Sequence, residues 1–211
     1  MKESINENRG GLRLRAEKLA KRFGYRKIFS DISFDLRAGE SLSIAGPNGS
    51  GKSTLIKLIM GIMRPTGGIV EFFKDNDELI SDEIREHAAL LAPGVNPYEE
   101  LTPLENISFV SKKAVPDIPP EQVLDEFGLY EHRDTRVRFF SSGMRQRLGF
   151  LLTLINDPVF IFFDEPGMNL DSGGKELIYS RIESMKKNKI IVIAANEPDE
   201  LDLCDERINL G

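Results

Sequence analysis

The run Gly46-Pro47-Asn48-Gly49-Ser50-Gly51-Lys52-Ser53-Thr54 carries the residue types needed to wrap a phosphate group. Its glycines let the backbone curl until several N–H groups point inward at one anion. Lys52 adds a point charge suited to the β- and γ-phosphates of a nucleotide. The Ser53 hydroxyl is a hard oxygen ligand of the kind Mg²⁺ takes. A glycine-rich turn could spell the pattern by accident, but a strand before it and a helix after it argue for the phosphate-binding form.

A second group of reactive side chains ends the run Phe160-Ile161-Phe162-Phe163-Asp164-Glu165. Ligands of open α/β sheets gather at the carboxyl ends of the strands. Asp164 is therefore expected to reach the Mg²⁺ region, directly or through water. Glu165, one residue further on, is expected to polarise a water for in-line attack on the γ-phosphate. In isolation an Asp-Glu pair before Pro166 is more often a solvated turn. The phosphate loop upstream reverses that preference.

Strands and helices must place these groups, and the hydropathy pattern supplies them. Ser41-Leu42-Ser43-Ile44-Ala45 is a short strand running straight into the phosphate loop. After Lys52 the spacing turns helical, with Leu55, Ile56, Leu58, Ile59 and Ile62 as one apolar stripe. Arg64-Pro65-Thr66-Gly67-Gly68 stops that helix, and residues 69–73 read as another strand. Upstream, residues 12–36 are strand-like, and residues 1–10 read as a loose tail. Residues 93–156 differ in character: proline-rich at the start, then helical over 120–127 and 144–155. Two later runs, 159–163 and 189–195, are apolar enough for parallel strands buried on both faces. Strand, phosphate loop, helix, buried strand, helix, buried strand is the order of an α/β core, with the helical middle as an insertion.

The bulk numbers agree. The chain has 211 residues, long enough to bury a sizeable interior. Hydrophobic residues make up 40% and charged residues 29%, as in an ordinary globular protein. A net charge of −6 without a long basic run disfavours general nucleic-acid binding. The single cysteine, Cys204, excludes an internal disulfide. No apolar run approaches a membrane span, and the polar start does not read as a leader peptide. Work at a membrane therefore calls for another polypeptide to do the spanning.

Phe140-Ser141-Ser142-Gly143-Met144-Arg145-Gln146-Arg147-Leu148 narrows the reading. It resembles the ABC signature, usually L-S-G-G-Q ahead of a basic, glutamine-bearing helix start. Ser141 and Gly143 match, while Phe140, Ser142 and Met144 replace Leu, Gly and Gln. A small polar turn opening a helix still offers N–H groups to an anion, although alone it could equally be an ordinary N-cap at Ser141 or Ser142. With the phosphate loop and acidic pair in the same order and spacing, the chain resembles the ABC ATPase family over nearly its whole length. That resemblance implies an α/β, P-loop NTPase, RecA-like core with an N-terminal antiparallel β-sheet and an inserted α-helical subdomain. A single ABC ATPase domain would then occupy 1–211, with the nucleotide-binding core at 11–92 and 157–211 and the helical subdomain at 93–156.

The resemblance also implies roles. Gly46, Pro47, Asn48, Gly49, Ser50, Gly51, Lys52, Ser53 and Thr54 would bind ATP, and Ser53 and Asp164 would hold Mg²⁺. Glu165, Asn196 and Asp171 would serve hydrolysis, with Asp171 crossing a dimer interface. Phe23, or less favourably Tyr25, would stack on adenine unless these aromatics belong to the core. Ser141, Ser142 and Gly143 would face the ATP held by a second ABC ATPase subunit, identical or different. Leu101-Thr102-Pro103-Leu104-Glu105-Asn106-Ile107 would begin the helical subdomain, near where an integral membrane permease subunit inserts a short helix. The chain would work as the ATP-hydrolysing subunit of a transporter, cytoplasmic and peripheral on the inner face of the cell membrane, with no nucleic-acid partner.

Two positions depart from the family pattern. No glutamine stands near Pro93, where one usually reaches Mg²⁺ and the attacking water. Asn196 follows Ile191-Val192-Ile193-Ala194-Ala195, where the family usually has histidine. Asparagine donates a neutral hydrogen bond but never becomes a cation, so normal ATP binding with slow hydrolysis is expected. These departures keep open a slow ATP-binding regulatory module. A non-transport ABC ATPase also stays open, although the single motif set and absent heptad run disfavour it.

Overall fold

The computed structural model describes residues 11–112 and 119–211. The expected tail at 1–10 lies outside the described residues. The chain opens with two long antiparallel strands, β1 (Arg13–Phe23) and β2 (Arg26–Arg37), which pair from Arg13 opposite Arg37 to Phe23 opposite Arg26. Leu14, Ala16, Leu19, Phe34 and Leu36 turn inward from this hairpin. Next come β3 (Ser41–Ala45), α1 (Lys52–Ile59), β4 (Gly67–Lys74) and the short β5 (Asp77–Glu78). Strands β2-β1-β4-β5 make one antiparallel sheet.

The α1 stripe of Leu55, Ile56, Leu58 and Ile59 is buried as the spacing predicts. Ile62 is not part of it. The helix ends at Ile59, Gly61 takes the left-handed conformation at φ 69°, and Ile62 lies beyond it with 60% of its surface exposed. A glycine just past the last helical turn is the physical stop, ahead of the proline that the sequence pointed to.

The chain continues through α2 (Ser81–His87), β6 (Ala88–Leu91), α3 (Pro103–Val110), α4 (Pro120–Glu126) and α5 (Ser142–Leu154). Helix α3 starts within the segment 101–107, where Thr102 accepts from the Glu105 N–H at 3.2 Å and Glu105 accepts from the Thr102 N–H at 2.8 Å. This reciprocal cap satisfies two donors that a helix start leaves open. Asn106 is buried and closes the preceding loop by bonding both the N–H and the carbonyl of Tyr98.

The last elements are β7 (Phe160–Asp164), α6 (Ser172–Met185), β8 (Ile190–Ala194), the one-turn α7 (Pro198–Leu201) and β9 (Glu206–Asn209). A five-stranded parallel sheet runs β6-β7-β8-β3-β9. Every residue of β3, β7 and β8 is buried, which explains the unbroken apolar runs 160–163 and 190–194; β3 carries Ser41 and Ser43, whose hydroxyls bond Asp205 and the Glu206 carbonyl. One face of the sheet presents Phe160, Phe162, Ile190 and Val192 to α1 and the antiparallel sheet, with Phe72 meeting Phe160 edge-on at 4.9 Å. The other face presents Ile161, Phe163, Ile191 and Ile193 to α5, α6 and the inserted helices, with Phe150 stacked on Phe163 at 5.1 Å. Each such side chain contributes about 1.5–3 kcal/mol on leaving water.

Candidate functional site

The phosphate loop leaves β3 at the centre of the carboxyl edge and enters α1. Gly46 has φ 148°, and a β-carbon there would stand 2.2 Å from the Leu210 carbonyl oxygen, so only glycine fits. The Ser50 N–H closes a turn onto the Pro47 carbonyl at 3.1 Å. Gly51 caps α1 in the left-handed region without a side-chain acceptor, which leaves the first N–H groups of the helix for an anion. The Ser50 Oγ is buried without a hydrogen-bond partner among the described residues. Lys52 is only 6% exposed, and its ammonium donates to the Gly46 carbonyl at 2.7 Å and to Asn196 Oδ1 at 2.6 Å. Donors, a buried cation and an unpartnered hydroxyl around a glycine-rich turn form a cradle for phosphate oxygens.

The neighbouring strands bring the acidic pair to this loop. Asp164 ends β7 level with Ala194 of β8, and the Ala195 N–H reaches the Ile44 carbonyl of β3 at 3.2 Å. Asp164 is 5% exposed. Burial pushes its carboxyl up, and the Ser53 hydroxyl and the Lys52 ammonium pull it partly back. Glu165 sits in the left-handed region at φ 56°, its N–H held by the Ala194 carbonyl at 2.8 Å. Asn196 bridges the parts: its Nδ2 donates to Glu165 Oε1 at 3.1 Å and to Asn48 Oδ1 at 2.7 Å, while its Oδ1 receives Lys52.

Glu165 opens a tight turn in which the Met168 N–H bonds the Glu165 carbonyl and the Leu170 N–H bonds the Gly167 carbonyl. Two side chains hold this turn from outside. Gln146 Nε2 in α5 donates to the Pro166 carbonyl at 2.9 Å. Glu200 in α7 accepts the Gly167 N–H at 2.6 Å and the Tyr179 hydroxyl at 3.2 Å. Glu200 is 3% exposed, and burial pushes its carboxyl up against the pull of the Gly167 N–H; the Tyr179 hydroxyl is also raised, by burial and by the Glu200 charge. Sequence reasoning places Gln146 in the signature run without a role of its own, and misses Tyr179 and Glu200. Each looks like an ordinary polar helix residue, and the one hint was that Glu200 abuts the apolar Leu201 in an otherwise acidic turn.

The signature segment opens α5. Ser141 is the N-cap, accepting the Met144 N–H at 3.2 Å, and the exposed Ser142 and half-buried Gly143 form the first turn. A β-carbon at Gly143 would lie 3.2 Å from the Asn169 carbonyl oxygen, so this turn packs on the loop after Glu165. Among the described residues no hydrogen bond joins Ser141, Ser142 or Gly143 to the phosphate loop. Asp171 is exposed and caps α6, accepting the Gly174 N–H at 2.8 Å. Phe23 is 50% exposed with the Lys21 ammonium 5.0 Å from its ring centre, and Tyr25 is fully exposed, so neither belongs to the core. The turn after Pro93 lines a cleft of about 250 Å³ with Arg145, Gln146 and Asn169. His87 lies beside Lys74 and His132 against Phe140, neither near Asn196.

Comparison with known proteins follows the same outline. A family model described as ABC transporter matches residues 29–168. The chain is 30% identical over 200 residues to an ABC transporter ATP-binding protein of Bacillus subtilis, covering 92% of this chain and 65% of the relative. It is 33% identical to the Nod factor export ATP-binding protein I of Bradyrhizobium diazoefficiens, covering 88% and 63%, and 32% identical to the taurine import ATP-binding protein of Roseobacter denitrificans, covering 86% and 69%. The chain thus spans less than two thirds of the length of the first two. Among solved structures, an ATP-binding cassette captured as a dimer with ADP and Pi superposes with a TM-score of 0.78 at 24% identity, covering 93% of this chain and 94% of that one.

Proposed function

Because the chain belongs to the ABC transporter family, we propose that it is the ATP-binding and ATP-hydrolysing subunit of a transporter. It works as one of a pair of cassettes that close on two ATP molecules and drive a separate membrane-spanning subunit. The observation that carries this reading is the convergence of Lys52, Asn196 and Glu165 within direct hydrogen bonds at one sheet edge. ATP takes the phosphate cradle, and Lys52 exchanges its Gly46 and Asn196 partners for phosphate oxygens. Glu165 orients a water toward the γ-phosphate and accepts its proton, with Asn196 holding the carboxylate. Phe23, an exposed aromatic at the end of β1, supports stacking on adenine. Ser141 and Ser142 are exposed and Gly143 is half-buried beside them, so the turn is accessible to the ATP of the second cassette, with Asp171 lying beside that interface.

Ser53 and Asp164 fit a Mg²⁺ ion: a hydroxyl and a buried carboxylate side by side below the phosphate cradle. Mg²⁺ bound there would neutralise charge on the β- and γ-phosphate oxygens. The upward push on Asp164 has a consequence for the free protein. A carboxyl raised by folding contributes stability below its unfolded value, and this is lost as pH rises through the folded value. At neutral pH Asp164 therefore costs stability. Asp164→Asn is expected to raise the Tm of the nucleotide-free protein by about 2–4 °C while removing the thermal shift that Mg²⁺ adds to ATP. Differential scanning fluorimetry with and without Mg-ATP reads both.

The membrane partner is a permease, docked on the groove of about 350 Å³ between β6 and the inserted helices. Exposed Val95 and Tyr98 line it, and Phe109 stands edge-on to Tyr98 at 4.7 Å. No helix among the described residues is long and apolar enough to cross a membrane. A place on the inner face of the cell membrane, held by the partner, rests on the likeness to ATP-binding proteins of export and import systems. Purification of the chain from solubilised native membranes tests the reading. A stoichiometric polytopic protein is expected, and a clean ATP-hydrolysing complex without one would remove the transport role.

Asn196 favours slow turnover. Its amide links Lys52 to Glu165 but offers no cation to the charge that develops on the γ-phosphate. Asn196→His is expected to raise kcat by about tenfold in a phosphate-release assay. A lower rate would mean that the bridge itself, through Asn48 and Glu165, matters more than the missing charge.

A further inference from the structure

We propose that Glu200 is a positioning residue for Glu165, acting through the backbone of the turn 165–170; this rests on the ATPase reading above. Two non-glycine residues of that turn occupy the left-handed region: Asn169 at φ 64°, a residue type that tolerates it, and Glu165 at φ 56°, for which it is a strained choice. Such backbone persists only where its surroundings over-determine it. The holding groups are the Ala194 carbonyl on the Glu165 N–H, Gln146 on the Pro166 carbonyl, and Glu200 on the Gly167 N–H. Of these side chains Glu200 is the buried charge, and it makes the shortest bond, 2.6 Å. A carboxylate accepting a backbone N–H is roughly twice as strong a partner as a neutral acceptor.

The turn is also shaped to this carboxylate. A β-carbon at position 167 would lie 2.5 Å from both Glu200 Oε1 and the Tyr179 hydroxyl, so a side chain there would push both groups off the turn. Tyr179 reaches across from α6 to the same Oε1 and fixes the carboxylate while it holds the turn. The clamp lies two residues from Glu165. Rotation of the Gly167 peptide would swing the Glu165 side chain away from Asn196 and from the water it is to orient. Misplacement of a reacting group by about 1 Å can cost about 100-fold in rate.

Amide exchange in the wild type and ATP turnover in three variants decide the matter. In the wild-type protein the Gly167 amide is expected to exchange its hydrogen at least about 100-fold more slowly than an open loop amide; exchange at the open-loop rate would overturn the clamp before any variant is made. In ATP turnover, Glu200→Ala is expected to lower kcat by about 10- to 100-fold with KM within about twofold. Glu200→Gln, which keeps the acceptor oxygen, is expected to recover most of that loss. A kcat near wild type in Glu200→Ala, a fall matched by KM, or no rescue by Gln would overturn the inference. Tyr179→Phe keeps the test sharp if Glu200→Ala does not fold, with an expected loss of about threefold in kcat and none if the clamp is idle. An inert wild type would overturn the ATPase reading together with this inference. An active wild type with an unimpaired Glu200→Ala overturns the inference alone.

Discussion

Glu165→Gln is expected to lower ATP turnover by about 10²- to 10⁴-fold with little change in nucleotide affinity. The carboxylate stands at the mouth of the phosphate cradle on backbone held by β8, and its Oε1 already receives a hydrogen bond from Asn196. Glutamine has almost the same shape and can keep an oxygen toward Asn196, but it cannot take a proton from water at neutral pH. The loss therefore falls on the chemical step and spares binding. Paired assays of phosphate release and of ATP binding by calorimetry separate the two. A rate unchanged from wild type would assign the base elsewhere. A variant that binds ATP without splitting it should also accumulate as a closed pair, which gel filtration in ATP would register as a doubled mass.

Lys52→Ala should act on the other axis. Lys52 is nearly inaccessible, and its ammonium binds the Gly46 carbonyl and Asn196 Oδ1. Removing it takes the one buried cation from the cradle and leaves both acceptors without their donor. Hydrogen bonds to charged groups are worth about 1.5–3 kcal/mol each, so a fall in ATP affinity of about 10- to 150-fold is expected. AMP, which carries no β- or γ-phosphate, should bind the variant almost as well as wild type. That contrast checks which phosphates Lys52 serves. Equal losses for ATP and AMP would indicate a collapsed loop instead of a missing charge.

Much of this site is legible in the sequence. The phosphate loop announces itself because glycine, lysine and serine are each required at a fixed spacing. The buried strands β7 and β8 do so because burial on both faces favours unbroken apolar runs, here 160–163 and 190–194. Shorter strands did not announce themselves. β6 and β9 span four residues each, and β9 carries one half-buried apolar side chain at the sheet edge, so neither offers a pattern long enough to read. The apolar stripe of α1 runs on to Ile62 in the sequence because spacing alone takes no account of Gly61. The groups that hold the Glu165 turn were hidden for another reason. Gln146, Tyr179 and Glu200 act on backbone atoms of a distant loop, and no spacing within their own helices encodes that reach. Departures such as Asn196 were visible as residue types, but their bridging geometry was not.

β3 lies between β8 and β9, and Ser41 at its start bonds Asp205, 164 residues further along the chain. Its closing contact has the Leu210 N–H on the Ala45 carbonyl, directly before the phosphate loop. The strand that launches the loop thus leaves the ribosome well before either of its neighbours, which follow only after the helices between β6 and β7. Pairing over so long a separation is slow to form. A nascent chain that already displays the whole nucleotide motif would still lack the frame that shapes it. Competence to take up ATP should arise abruptly during synthesis, at the moment β8 and β9 close around β3. Until then the half-made sheet, with its apolar strand uncovered, is the form most in need of a chaperone.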